Sequence, residues 1–265
     1  MLIIVSTGTR SFWLFHVANA QPSIANKPPL PVILIHGYFE PASVWNEWQK
    51  LLQNNTGIKS FPVTFRGDDE CGSANQHAKE LGQIIKEVKT KTGQDKVNIV
   101  GHSKGGLDAR VYLADNITRN DVANLIMIGT PNAGSPLADF VARSPLQDLA
   151  KFGNLFAKYW LCAPAINDLK TTASDIHAAQ NPKTNYYTVA GDWTPFDFCS
   201  AFVIDTPGFN YLQFVFGLDN DGIVPIKSVQ SQPYFHNLPL SHHCHQDLLG
   251  DEEYKLAEPI LLGKQ

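Results

Sequence analysis

The stretch from 97 to 115, VNIVGHSKGGLDARVYLAD, limits what this chain can fold into more than any other. Residues 97–100 read as a buried strand, and the residues after Gly105 read as a helix running to about Asp115. Between them lie only Gly101, His102, Ser103, Lys104 and Gly105, so the backbone must reverse from extended to helical within one tight turn. A serine hydroxyl is a poor nucleophile unless the backbone exposes it beside a base and above donors for an oxyanion. Glycines two before and two after the serine let strand and helix approach closely enough to form that strained turn. The pattern GxSxG alone occurs by chance in many chains. Its placement between a buried strand and a helix is what makes Ser103 a candidate nucleophile.

A nucleophile of this kind needs two oxyanion donors. The N–H of the residue after the serine, Lys104, is one. The other comes from the end of an earlier strand, where LIHGYFE supplies His36, Gly37 and Tyr38, with Gly37 permitting an unusual turn and Tyr38 presenting its N–H.

The rest of the chain supplies a frame for such a turn. Residues 32–37 (VILIHG), 125–131 (LIMIGTP) and 186–191 (YYTVAG) are short apolar runs that read as strands buried on both faces. Residues 58–65 (IKSFPVTF) are a further strand, which Pro62 moves toward a sheet edge. In 75–92, Ala78, Leu81, Ile84, Ile85 and Val88 recur at helical spacing beneath a lysine-rich outer face. Strands alternating with amphipathic helices predict right-handed crossovers and a three-layer α/β domain, with a mostly parallel sheet and helices on both faces.

One domain spans 21–265. Residues 132–185 are too many for a simple crossover and read as a lid or cap insertion; Leu149, Phe152, Phe156, Tyr159 and Trp160 share a helical face there. A second aromatic segment follows at 202–217. Both segments suit either a greasy lid or helices buried in the core. Residues 1–20 resemble a signal peptide ending small-x-small at Ala18, Asn19 and Ala20, with Arg10 set between two apolar runs, which points to an exported protein. No other stretch approaches the ~20 apolar residues of a membrane span. With 43% hydrophobic and 17% charged residues and a net charge of −4, a folded protein is expected and a nucleic-acid partner is not. Cys71, Cys162, Cys199 and Cys244 are widely spaced, so one or two disulfides are possible in an oxidising compartment and the pairing stays open.

VILIHGYFE, NIVGHSKGGLDAR, LIMIGTPNAGSPLADFV, NYYTVAG, DNDGIVP and HQDLL occur in that order. On these motifs, spanning 31–262, the chain resembles the α/β-hydrolase fold superfamily, and within it the secreted bacterial true lipases and related esterases. The resemblance implies a triad in the order Ser, Asp, His. NDGIVP is similar to the lipases' acid loop and favours Asp221 as the acid, with Asp192 the alternate and Asp219 and Asn220 turn residues. His236, His242, His243 and His245 follow it, and HxxLL favours His245 as the base over His243. In some of these lipases an Asp two residues after the base binds a structural calcium; Asp247 matches that place, with Asp197 and Asp205 as conceivable partners. No zinc-ligand spacing accompanies the histidines. His102 and Lys104 read as elbow residues, Asp108 and Arg110 as a local polar pair, and Pro131, Asn132 and Gly134 as a loop bordering the pocket.

The expectation is a secreted carboxylic-ester hydrolase acting on an ester or lipid through an acyl-enzyme, without an organic cofactor. An amidase, thioesterase or acyltransferase on the same triad is the alternative within enzymes. A non-catalytic lipid-binding protein on this fold is the alternative outside them.

Overall fold

A computed structural model describes residues 28–67, 71–143 and 163–264. Residues 1–20, expected to be a signal peptide, and the aromatic face expected at 149–160 therefore lie outside the described residues.

Six strands pair in parallel into one sheet among the described residues: β1 (Val32–Ile35), β2 (Ser60–Pro62), β3 (Val97–His102), β4 (Val122–Ile128), β5 (Asn185–Val189) and β6 (Phe235–Asn237), in the order β2-β1-β3-β4-β5-β6. The segment predicted at 58–65 narrows to β2, and it lies at the sheet edge, where Pro62 breaks no central ladder. The helices are α1 (Asn46–Leu51), α2 (Ala74–Thr92), α3 (Lys104–Asp115), α4 (Pro136–Arg143), α5 (Ala163–Asp168), α6 (Phe202–Asn210), α7 (Ile226–Val229) and α8 (Asp251–Leu261).

Side chains alternate across a strand, so each strand feeds two cores. Ile33 and Ile35 of β1 meet Ile99, Leu125 and Met127 on one face, packed against Leu81 and Ile85 of α2 and Tyr112 of α3. Val32 and Leu34 meet Val100, Ile126 and Ile128 on the other, beneath Trp48 of α1 and Tyr254 and Ile260 of α8. This double covering is the reason β1 and the Leu125–Ile128 run of β4 are apolar without interruption. Helix α2 starts on a capping box, in which the Ser73 hydroxyl accepts from Gln76 N–H and the Gln76 side chain accepts from Ser73 N–H, and it ends at Gly93 with φ 69°.

Within 132–185, where an insertion is expected, α4 and α5 are described; they pack on one another, and Ala165 and Ile166 of α5 are buried. The aromatic segment at 202–217 forms α6 and a wider turn at Tyr211–Val215. Phe209 of α6 stands edge-on to the buried Trp193, while Phe214 is 78% exposed, so this one segment has both a core face and a solvent face.

Candidate active site

Ser103 sits between the last residue of β3 and the first of α3, with φ 48° and ψ −124°. A residue other than glycine holds such a conformation only when its surroundings impose it. Here the Ser103 N–H donates to Ile128 O of β4 at 2.8 Å, and the glycines remove the obstacles. A Cβ on Gly101 would lie 2.5 Å from Gly106 N, and one on Gly105 would lie 2.5 Å from His36 O. Both contacts are with backbone, which cannot move aside without opening the turn.

Lys104 opens α3, so its N–H has no acceptor within the helix. Its side chain turns inward. Nζ is 2.6 Å from Asp108 Oδ1 and 3.3 Å from His77 Nδ1, which is itself 2.7 Å from Asp108 Oδ2. Burial pushes the Asp108 carboxyl up, and the adjoining Lys104 and His77 more than reverse this. The expected Asp108 and Arg110 pair is thus corrected. Residues two apart on a helix point to different sides, and Arg110 instead donates to Asn132 O and Oδ1, each at 3.1 Å.

The histidine cluster separates by environment. His245 is buried; its Nε2 is 2.9 Å from Ser103 Oγ and its Nδ1 is 2.8 Å from Asp221 Oδ2. Asp221 is fully buried, and its Oδ1 accepts from Ile223 N–H at 2.9 Å and Val224 N–H at 2.7 Å. The His245 N–H also donates to Asp221 O at 2.9 Å, so the two residues are joined through main chain and side chain. Burial by itself lowers the His245 imidazole, but the Asp221 carboxylate, with Asp205 and Glu40 beyond it, holds it above its ordinary value.

His243 turns the other way, with Nδ1 2.8 Å from Glu253 Oε1 and 3.2 Å from Ser241 Oγ. His242 is exposed, and the His236 ring lies 5.1 Å from that of Tyr187. Asp192 joins the assembly through its main chain, its N–H donating to Ser241 O at 2.7 Å; the carboxylate facing His245 is that of Asp221. Asn220 serves as a turn residue, its Oδ1 accepting from Gly222 N–H at 2.8 Å.

On the oxyanion side, the unusual turn lies two residues later than expected, for Phe39, not Gly37, has the left-handed φ of 61°. Gly37 is required for space. A Cβ there would lie 2.9 Å from Ser103 Cβ and 2.8 Å from Glu40 Oε2. His36 Nδ1 donates to Gly37 O at 3.0 Å. Glu40 stands in LIHGYFE, but no sequence pattern marks it as part of the site. Its Oε2 accepts from Gly37 N–H at 2.7 Å and from His102 Nδ1 at 2.8 Å. His102 is therefore a bonded part of the site as well as an elbow residue.

Cys199 and Cys244 form a disulfide next to His245, and Cys71 is also disulfide-bonded. Asp247 accepts from the Ser200 N–H at 2.7 Å and from the Ser200 hydroxyl, while Asp197 accepts from Thr194 Oγ1 at 2.7 Å. Asp205 is fully buried; burial, with Asp221 and Asp247 adding to it, pushes its carboxyl up to about 7 against the opposing effect of His245. Asp197, Asp205 and Asp247 do not come within common ligand reach of one another.

Similarity to known proteins follows this geometry. Triacylglycerol lipases of Pseudarthrobacter phenanthrenivorans and Burkholderia plantarii are each 33% identical over 153 residues, which is 56% of this chain and 46% and 40% of theirs. The chain thus spans less than half the length of these curated relatives. The crystal structure of a Bacillus licheniformis lipase in its mature form superposes with a TM-score of 0.66 at 22% identity, covering 88% of this chain and 92% of that one. That likeness is one of fold, and with the parallel sheet it identifies the α/β-hydrolase architecture. A palmitoyl protein thioesterase family profile matches residues 31–188, which take in β1, the serine turn and β4. Since that match covers more than half of the sequence, the chain belongs to the palmitoyl protein thioesterase family.

Proposed function

We propose that the chain is a serine hydrolase that cleaves carboxylic esters of acyl lipids through an acyl-enzyme. The observation that carries this reading is the unbroken series from Ser103 Oγ to His245 Nε2 at 2.9 Å and from His245 Nδ1 to Asp221 at 2.8 Å, set on a strained turn. Ser103 Oγ attacks the acyl carbonyl as His245 Nε2 takes its proton. Asp221 keeps the other imidazole nitrogen protonated and stabilises the imidazolium. The N–H groups of Tyr38 and Lys104 receive the oxyanion. His245 then protonates the leaving group, and water removes the acyl group by the reverse sequence. Nucleophile, base and donors all come from the chain, so the reaction requires no organic cofactor.

Two observations bear on the leaving group. The curated relatives are named triacylglycerol lipases, which favours oxygen esters, and the family profile is described by thioesters, which favours a thiolate leaving group. Rates on an oxygen ester and a thioester of the same acyl chain decide between them, and a higher kcat/KM on the oxygen ester is expected. Labelling by a fluorophosphonate, abolished in Ser103→Ala, tests the hydrolase reading itself. A wild-type protein that takes no label leaves a non-catalytic lipid-binding protein on this fold. Export is part of the proposal, supported by the disulfide at Cys199 and Cys244 and by the leader-like residues 1–20. Deleting 1–20 should keep the protein inside the producing cell.

A further inference from the structure

Glu40 and His102 perform no step of this chemistry, yet they lie at its centre. The His102 side chain is 0% exposed and that of Glu40 18%. Glu40 Oε2 receives both Gly37 N–H, at 2.7 Å, and His102 Nδ1, at 2.8 Å. The other ring nitrogen, Nε2, is 3.0 Å from the main-chain oxygen of His245, and the two imidazole rings lie 4.9 Å apart. Burial opposes ionisation of Glu40, but His102 and the Gly37 N–H hold its carboxyl at about 2, so it faces the ring as a carboxylate. Carboxylate and carbonyl oxygens only accept hydrogen bonds. Making both bonds therefore requires a proton on each ring nitrogen.

We propose that Glu40 and His102 are positioning residues that clamp three segments of the site together: the strand end carrying Tyr38, the turn carrying Ser103, and the turn carrying His245. These segments are remote in sequence, with 62 residues separating Glu40 from His102 and 143 separating His102 from His245. The clamp reaches each of them next to its working group. It holds Gly37 beside the Tyr38 N–H, it is itself adjacent to Ser103, and it bonds the main chain of the base. Its role rests on the hydrolase reading above. Because it fixes donors that act on the transition state, its loss should lower kcat rather than weaken substrate binding.

The test compares Glu40→Ala with Glu40→Gln, whose amide oxygen can still accept from Gly37 and His102. Fluorophosphonate titration counts competent sites, so a partly unfolded preparation is not mistaken for a slow one. Per titrated site, Glu40→Ala should lose about 10- to 100-fold in kcat with KM changed less than about threefold, because small displacements of reacting groups cost rate. Glu40→Gln should recover most of that loss. An unchanged kcat in Glu40→Ala, or a Gln variant no better than Ala, overturns the clamp. A second readout is independent of turnover. NMR of the wild type should show an exchange-protected ring N–H proton of His102 facing Glu40, assigned by its absence in His102→Gln, and it should lose protection in Glu40→Ala. A wild type with no protected His102 ring proton, or one whose protection survives in Glu40→Ala, overturns the proposal. A wild-type protein that neither labels nor hydrolyses esters removes the hydrolase reading, and the ring proton facing Glu40 then judges the clamp alone.

Discussion

The serine turn and the histidine turn hold the two halves of the proposed reaction, but they are built differently. At Gly101–Gly105 the shape comes from neighbours in sequence: glycines without Cβ atoms, a strand that ends and a helix that begins. At Ser241–Leu249 it comes from distant parts of the chain. Cys244 is tied to Cys199, Asp247 accepts from Ser200, Leu249 O accepts from Trp48 Nε1 at 3.0 Å, and Glu253 of α8 collects Ser241 and His243. A locally encoded turn can be read from a motif. A turn held by remote partners shows a row of imidazoles and leaves their directions to the fold.

The largest effect is expected from His245→Ala. Removing the base of a serine triad costs roughly 10⁶ in kcat, about as much as removing the nucleophile. Ser103→Ala and His245→Ala should therefore match in kcat, and the assignment of the base is wrong if the His245 variant keeps wild-type turnover. The turns should then fail in different ways. Cys199→Ser removes a remote restraint and should cost about 2–4 kcal/mol in denaturant unfolding, the usual range for such links. Gly105→Ala inserts a Cβ against backbone and should cost about 1–3 kcal/mol, as overpacking does, with kcat falling because the turn itself is displaced.

The pH dependence sharpens the role of Asp221. In the proposed reaction His245 works as neutral imidazole, and its folded pKa is raised above the ordinary 6.5. Log kcat/KM should therefore decline on the acid side at a pH above 6.5, and this limb should move to lower pH in Asp221→Asn. The linked stability runs in the opposite sense. The favourable pairing of protonated His245 is fully present below the unfolded histidine range and is lost as pH rises through the raised value. His243→Ala should have the smallest effect, less than about 1 kcal/mol in stability, because its pair with Glu253 is part-exposed and Glu253 keeps Ser241 and Gly250 as donors. A large loss of turnover in that variant would exchange the roles given to the two histidines.

Much of the sheet and the serine turn was legible because uninterrupted apolar runs, helical spacing and paired glycines are local signals. Even Pro62 marked an edge strand correctly. The errors share a cause. Asp108 and Arg110 looked paired because they are close in sequence, whereas a helix points them to Lys104 and to Asn132. Gly37 looked like the residue that turns the chain, but its value is the space it leaves for Ser103, and Phe39 makes the turn. Glu40 carried no pattern at all, since its partners lie at 37 and 102.

By itself the sequence determined that a parallel, doubly covered sheet would present Ser103 at a strand-to-helix turn, because strand, glycine and helix signals act over a few residues. The motifs favoured His245 and Asp221, but their contacts with that serine and with each other, and the bonds by which Glu40 and His102 join the parts, exist only in the tertiary structure. Hydrogen-bond partners are set by distance in space, and between residues separated by 24, 62 or 142 positions no sequence period records that distance.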